Sequence, residues 1–112
     1  MSLKMRTYSV LIVSAAEAFN QSLSSLLPAG AYSPAHIVSD ISSAKRAFAE
    51  RDYDFVLINA PLPDDPGMRF AVDACSGKAT VVLVLVKNDI FAEANMRLSE
   101  SGVFTLPKPV SR

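Results

Sequence analysis

The sequence lacks the features that mark disulfide-rich, membrane-spanning and secreted proteins. Its single cysteine, Cys75, excludes an internal disulfide and a multi-thiolate metal site. The longest wholly apolar run, Val81 to Val86, has six residues, whereas a helix needs about 20 to cross a bilayer. The first residues lack the long apolar run and the small-residue cleavage site of a signal peptide. We therefore expect a cytoplasmic protein that contacts no membrane.

An excess of charge of one sign is also missing. Eleven basic residues balance eleven acidic ones, whereas nucleic-acid-binding domains carry a basic surface. We therefore expect no direct nucleic acid contact from this domain. Half of the residues are apolar and a fifth are charged, as in ordinary globular domains. The 112 residues are predicted to form one domain, with Met1 to Leu3 interpreted as an expression remnant.

Apolar runs alternate along the chain with helical patterns. The runs predict five strands, over residues 8–13, 35–38, 53–58, 80–86 and 103–106. Apolar residues three and four positions apart predict helices between them, on the stripes Phe19, Leu23, Leu26 and Leu27; Ile41, Ala44 and Phe48; and Phe91, Ala94 and Leu98. The short helix after the third strand is expected to end near Gly77.

Residues that favour helix ends stand at several of the predicted boundaries. Pro28 and Gly30 are expected to end the first helix. Asp40 is predicted to cap the second helix, and Asp65, followed by a proline, the third. Asn88 or Asp89 is predicted to cap the fourth.

This alternation predicts a doubly wound α/β fold with a parallel sheet and helices on both faces. The expected topology is flavodoxin-like, with strand order 2-1-3-4-5 and functional sites at the carboxyl ends of the strands. The run after Thr80 has no polar alternation, which predicts a central strand covered on both faces. A fifth helix is expected after the fifth strand, but the sequence ends at Arg112 after a few residues, either because the segment was cut or because its continuation is not represented. We therefore expect an apolar patch on the face that this helix would cover, large enough to favour self-association.

The loop after the third predicted strand resembles a loop of a known protein family. The segment from Ile58 to Gly67, INAPLPDDPG, resembles the loop after strand three of response-regulator receiver (CheY-like) domains. There, a proline follows the phosphoacceptor aspartate by four residues and a glycine follows it by eight. Asn59, Pro63 and Gly67 keep that spacing. The resemblance places the phosphoacceptor position at Asn59.

Four other positions follow from the same resemblance, which covers nearly the whole chain except a last helix. The family's acidic pair after strand one falls on Ser14 and Ala15, its hydroxyl residue after strand four on Val86, and its lysine on Lys108. The segments IVSAAE, INAPLPDD and GVFTLPKP are most similar to the N-terminal domain of antitermination (ANTAR) response regulators. In those proteins an RNA-binding domain follows, so the resemblance implies an attached output domain of that kind.

In receiver domains carboxylates hold Mg²⁺, one of them attacks phosphorus, and the lysine and hydroxyl steady the phosphoryl oxygens. Ser14, Ala15 and Asn59 offer no carboxylate, and a neutral amide is a poor nucleophile. Val86 donates no hydrogen bond. We therefore predict a degenerate pseudo-receiver that is not an enzyme and has lost Mg²⁺, with no other cofactor. Its expected partners are a sensor kinase or other signalling protein, or a second copy in a homodimer.

Several local predictions remain open. Asn59 either caps the following loop or keeps a vestigial role, and Lys108 is predicted to donate to its amide oxygen. The resemblance also implies a cis Lys108-Pro109 bond. Asp64 and Asp65 are predicted to solvate the loop and cap a helix, although a receiver phosphorylated at one of them is an alternative. A second alternative is a small-molecule-binding α/β domain, although the four dispersed glycines form no nucleotide-binding motif.

Three further residue predictions concern positions outside this site. His36, the only histidine, is predicted to lie in an edge strand and is a poor metal candidate. Cys75 is predicted to be a small core residue. Phe104 and Thr105 are expected on the surface that receiver domains use for partners.

Overall fold

A computed structural model describes residues 9–26, 36–77 and 80–108. In these ranges strands and helices alternate in the predicted order. They are β1 (Val10–Val13), α1 (Glu17–Leu26), β2 (His36–Val38), α2 (Ile41–Glu50), β3 (Phe55–Asn59), α3 (Met68–Gly77), β4 (Val81–Val86), a 3₁₀ turn (Asn88–Ile90), α4 (Phe91–Ser99) and β5 (Phe104–Pro107). None of the helices in these ranges is long and apolar enough to cross a membrane.

The five strands form one parallel sheet in the order β2-β1-β3-β4-β5. This confirms the flavodoxin-like prediction. The chain steps from β1 to β2 in one direction and then moves across the sheet in the other. Because crossovers between parallel strands are right-handed, α1 lies on one face of the sheet, and α2, α3 and α4 lie on the opposite face.

The main core lies between the sheet and helices α2 to α4. Alternate strand residues point into it, and small helix residues such as Ala44, Ala71 and Ala74 let the helices approach closely. The strand members of this core are Leu11, Val13, Val56, Ile58, Val82, Val84 and Val86, all nearly or fully buried. Ala94 and Leu98 complete it from α4, as the helical stripe predicts.

The other face of the sheet is covered only at one side. Near α1, Val10 and Ile12 are buried, but toward the far edge Val81, Phe104 and Leu106 are 44%, 62% and 48% exposed. The register places two half-buried leucines beside them, so the open β4–β5 face consists of Val81, Leu83, Leu85, Phe104 and Leu106. This confirms the predicted apolar patch. Coverage of β4 on both faces was a wrong prediction, because no described helix lies over this part of the sheet.

Helix starts agree with prediction at α2 and differ at α3 and α4. Asp40 caps α2, since its side chain accepts the Ser43 N–H at 2.8 Å. Helix α3 begins only at Met68, because Gly67 has a φ of +93° that no α-helix accommodates. The predicted caps of α4 are wrong: Asn88 and Asp89 belong to the 3₁₀ turn, and α4 starts without a side-chain cap.

The remaining boundaries differ by one to two residues. Strand β3 begins at Phe55, and the preceding Tyr53 is a buried residue whose carbonyl accepts the Thr80 hydroxyl at 2.8 Å. Tyr8, Pro28, Gly30, Ala35 and the predicted cis Lys108-Pro109 bond lie outside the described residues. A cis bond is present at Ala60-Pro61.

Candidate functional site

The predicted site residues collect at the carboxyl edge of the sheet. Ser14 directly follows β1, Asn59 and Val86 are the last residues of β3 and β4, and Lys108 follows β5. Because all strands are parallel, these ends meet at one edge, where flavodoxin-like folds place their sites. The Lys108 backbone N–H donates to the Val86 carbonyl at 2.8 Å, which continues the pairing of β4 and β5 to this edge.

Ser14 and Asn59 are in direct contact. The Asn59 Nδ2 donates to the Ser14 Oγ at 3.1 Å, and both residues are buried, with Ser14 fully inaccessible and Asn59 9% exposed. The Ser14 Oγ also accepts the Ala16 N–H at 3.2 Å. A neutral hydrogen bond thus joins two of the three positions at which the resemblance to receiver domains places carboxylates.

Ser14 is also tied to the neighbouring elements through its backbone. Its N–H donates to the Val38 carbonyl at 2.8 Å, and its carbonyl accepts the Asn20 Nδ2 at 3.1 Å. Asn20 lies on α1 and was not predicted as a site residue, because an amide six positions after Ser14 belongs to no motif. Ser14 therefore links β1 to β2, β3 and α1.

Two amide oxygens at this site have no partner. Among the described residues, nothing donates to the buried Oδ1 atoms of Asn59 and Asn20. The predicted contact from Lys108 to the Asn59 oxygen is therefore wrong, and Asn59 does not cap the following loop. A neutral amide attracts an ammonium far less than a carboxylate does, so it offers little compensation for desolvating the lysine.

Two lysines, Lys87 and Lys108, influence each other at this edge. Burial lowers the pKa of Lys108, and the positive charge of Lys87 lowers it further. Ala15 is exposed and Val86 is fully buried, and neither side chain can pair with these lysines. Positions 14, 15 and 59 therefore give Lys108 no carboxylate to pair with.

This set of side chains does not fit Mg²⁺. That ion is anchored by one or two carboxylates in near-octahedral geometry, whereas Ser14, Ala15 and Asn59 present a hydroxyl, a methyl group and an amide. No cluster of three His, Cys, Asp or Glu side chains occurs within residues 9–26, 36–77 and 80–108. We therefore assign no metal-dependent step to this site.

The two aspartates of the β3–α3 loop are both engaged by backbone groups. The Asp65 Oδ1 accepts the Gly67 N–H at 2.7 Å, just before α3. Asp64 instead reaches α2, where its Oδ1 accepts the Ile41 N–H at 2.9 Å and its Oδ2 accepts the Ser42 N–H at 3.1 Å. These bonds, with that from Ile41 the strongest, lower the pKa of Asp64.

The remaining candidates serve the fold. His36 begins β2, which is an edge strand as predicted, and its Nδ1 lies 2.7 Å from the Tyr53 Oη. Cys75 is half-buried against the core. Phe104 is exposed as predicted, but Thr105 is only 7% exposed, so the prediction that both lie on the surface was wrong for the threonine. Successive strand residues point to opposite faces, and Thr105 points toward α4.

A groove that the sequence did not indicate lies between α3 and α4. It encloses about 220 Å³ and is lined by apolar side chains with an ion pair at its rim: Met68, Ile90, Ala94, Leu98, Glu93 and Arg97. None of the predicted site residues lines it. Ligand pockets usually enclose about 300–1,000 Å³, so the groove gives little support to small-molecule binding.

Solved structures similar to this chain are receiver domains. A receiver domain from Methylobacillus flagellatus is 26% identical, with a TM-score of 0.72 over 95% of this chain and 90% of that one. The non-phosphorylated HemR receiver domain from Leptospira biflexa is 24% identical, with a TM-score of 0.79 over 94% and 85%. A third, from a sensor histidine kinase of Pseudomonas aeruginosa, is 20% identical with a TM-score of 0.70 over 95% and 88%, and holds a magnesium ion in its active-site cleft.

Sequence comparison adds no closer assignment. No protein-family model matches this sequence, and no curated protein matches it either. The structural similarities confirm that the chain has the flavodoxin-like fold of response-regulator receiver domains.

Proposed function

We propose that this receiver-fold domain is a pseudo-receiver, a signalling and interaction domain that works without phosphorylation at position 59. The observation that carries the proposal is the buried hydrogen bond between Asn59 and Ser14. Receiver chemistry requires a carboxylate nucleophile and a divalent cation at this place. Here an amide bound to a hydroxyl occupies it, and the lysine beside it has no anionic partner at positions 14, 15 or 59.

The domain controls an attached output domain by changing conformation or by dimerising. A protein partner, such as a sensor kinase, or a second copy shifts the population of its states by binding one of them more tightly. The similarity of IVSAAE, INAPLPDD and GVFTLPKP to antitermination regulators supports an RNA-binding output domain. The receiver-fold domain itself needs no cofactor and catalyses no reaction in this scheme.

The alternative of phosphorylation at Asp64 or Asp65 has less support. Three of the four carboxylate oxygens accept backbone N–H groups at 2.7 to 3.1 Å. Phosphorylation would convert one oxygen of the modified side chain into the bridging oxygen of an acyl phosphate and weaken its capping bonds. The carboxylates are therefore better suited to holding the loop than to attacking phosphorus.

The test is incubation with acetyl phosphate and Mg²⁺, followed by intact mass measurement. We expect no stable adduct of about 80 Da on the natural chain, and no saturable amide shifts around Ser14, Asn59 and Lys108 on adding Mg²⁺ and then beryllofluoride. The variants Asp64→Asn and Asp65→Asn serve as matched controls. An adduct that forms on the natural chain and is missing from one of the two variants would assign the phosphoacceptor role to the aspartate replaced in that variant. An adduct that forms on both variants would refute the proposal, as would selective amide shifts at Asn59.

A further inference from the structure

The start of α2 is capped by two carboxylates from different parts of the chain. A helix leaves its first four N–H groups without partners in the helix. The local cap Asp40 satisfies that of Ser43 at 2.8 Å. Asp64, more than twenty residues later in sequence, satisfies those of Ile41 and Ser42 at 2.9 and 3.1 Å. The β3–α3 loop thus supplies two of the three caps.

Side-chain packing joins the same two segments. Ile41, the first residue of α2, is 2% exposed and belongs to the main core. A β-carbon placed on Gly67 would lie 3.7 Å from the Ile41 Cδ1, which shows how closely the loop passes the start of the helix. Asp64 therefore holds the backbone of α2 against a loop that the Ile41 side chain already contacts.

The loop between Asn59 and Asp64 is held by bonds of its own. The Ala60 N–H donates to the Leu85 carbonyl at 3.0 Å, and the Leu62 N–H donates to the Asp65 carbonyl at 2.9 Å. Leu62 is 6% exposed and belongs to the main core. Asn59 and Asp64 are thus joined by a short segment that is anchored at Ala60 and Leu62, and this segment is the route of the coupling proposed below.

We propose that Asp64 is a latch that couples the Ser14–Asn59 site to the start of α2. The latch is reversible, because the Asp64 side chain is exposed and water can replace its two bonds. A change at Asn59 loosens the first turn of α2, and a partner that binds the start of α2 changes the surroundings of Asn59. This inference rests on these hydrogen bonds and on the packing around Ile41 and Leu62, and it does not depend on the proposed function.

The test is amide hydrogen exchange by NMR on the whole chain. In Asp64→Ala, we expect the amides of Ile41 and Ser42 to exchange about tenfold faster or more, and the Asn59 side-chain resonances to shift. Asp64→Asn keeps one carbonyl acceptor and should give intermediate rates. The matched control is Asp40→Ala, which removes a cap from the same helix and should accelerate Ser43 without moving the Asn59 resonances.

A double-variant experiment separates coupling from simple capping. Asn59→Ala should accelerate exchange at Ile41 and Ser42 in the natural background and have no such effect once Asp64→Ala is present. The exchange rate of the Val84 amide, in the centre of the sheet, reports global opening and is used to normalise the others. If the Asn59 resonances respond equally to Asp40→Ala and Asp64→Ala, or if Asn59→Ala acts equally in both backgrounds, the latch is refuted. Neither outcome bears on the mass test for phosphorylation.

Discussion

The substitution Asn59→Asp restores the carboxylate of receiver domains with almost no change in shape. In the natural chain the Asn59 amide has one hydrogen-bonded end, toward Ser14, and one buried oxygen without a partner in the described residues. The Ser14 hydroxyl can turn to donate to one oxygen of the new carboxylate. The other oxygen stays buried and unpaired, and it now carries charge.

The expected cost follows from that unpaired oxygen. Leaving a buried polar group unsatisfied costs about 1–3 kcal/mol, and more when the group is charged. The ammonium of Lys108 offsets part of this cost, because opposite charges attract more strongly at a partly buried site than in water. We therefore expect Asn59→Asp to lower the free energy of unfolding by about 1–3 kcal/mol at neutral pH.

The penalty should depend on pH with a definite sign. Burial favours the neutral acid, so the folded-state pKa of the new carboxyl group lies above its unfolded value of about 4. The folded state then binds more protons, and stability falls as the pH rises through this interval. Below about pH 4 the group is protonated in both states, and the variant should approach the natural chain.

The assay is urea unfolding of both chains between pH 3.5 and 8 without divalent cations. Ala15→Asp is the matched control, since it adds a carboxylate at an exposed position of the same site and should change stability by less than about 0.5 kcal/mol. If Asn59→Asp is as stable as the natural chain at pH 7, or if its penalty does not shrink in acid, the reasoning from burial is refuted.

Three other predictions concern the β3–α3 loop and the open β4–β5 face. Gly67→Ala should lower the unfolding free energy by about 1–3 kcal/mol, because φ is +93° and a β-carbon would lie 3.2 Å from a methyl carbon of β3; an unchanged urea midpoint would contradict this. Phe104→Ser and Leu106→Ser should weaken the self-association measured by sedimentation velocity and reduce the binding of a hydrophobic dye. The control Met96→Ser, at an exposed position on α4, should change neither. A natural chain that stays monomeric at high concentration and binds no dye would refute the predicted self-association. The pKa of Asp64 is held below its usual value of 3.8, so the stabilisation by this carboxylate is present above that pH and is lost as the pH falls through its folded-state pKa. Asp64→Asn should therefore make the free energy of unfolding fall less steeply in acid than in the natural chain. Parallel pH dependences of the two chains would argue against this.

The fold could be predicted because its signals are local. Buried parallel strands are continuous apolar runs and the helices carry stripes, so the order of elements and the parallel sheet followed from the chain. The topology brings Ser14 beside Asn59, since Ser14 follows β1 and Asn59 ends the neighbouring parallel strand β3. The start of α3 was misplaced because the proline after Asp65 favours a helix, while the positive φ of Gly67 postpones it by two residues.

Contacts made at a distance left no such signal. Nothing in the sequence around Asp64 indicates that both of its oxygens bind α2, because the partners are backbone groups of a distant segment. The contact between Lys108 and Asn59 was expected from the spacing of these residues in the sequence. Spacing determines where the backbone places a lysine, whereas its side-chain partner is determined by charge. Likewise, the exposure of Phe104 and burial of Thr105 depend on which face β5 turns to the helices, and a four-residue strand carries little information on that.

The uneven cover of the sheet has a consequence for how the molecule opens. Strands β1, β3 and β4 are each paired on both sides, whereas β5 is an edge strand and, within the part of the chain that the structure describes, is packed on one face only, by α4. Proteins open in cooperative units, and the units with the fewest buried apolar contacts open first. We expect β5 and α4 to detach together while β1, β3 and β4 stay folded, which exposes the chain after the 3₁₀ turn at Asn88–Ile90 to proteases.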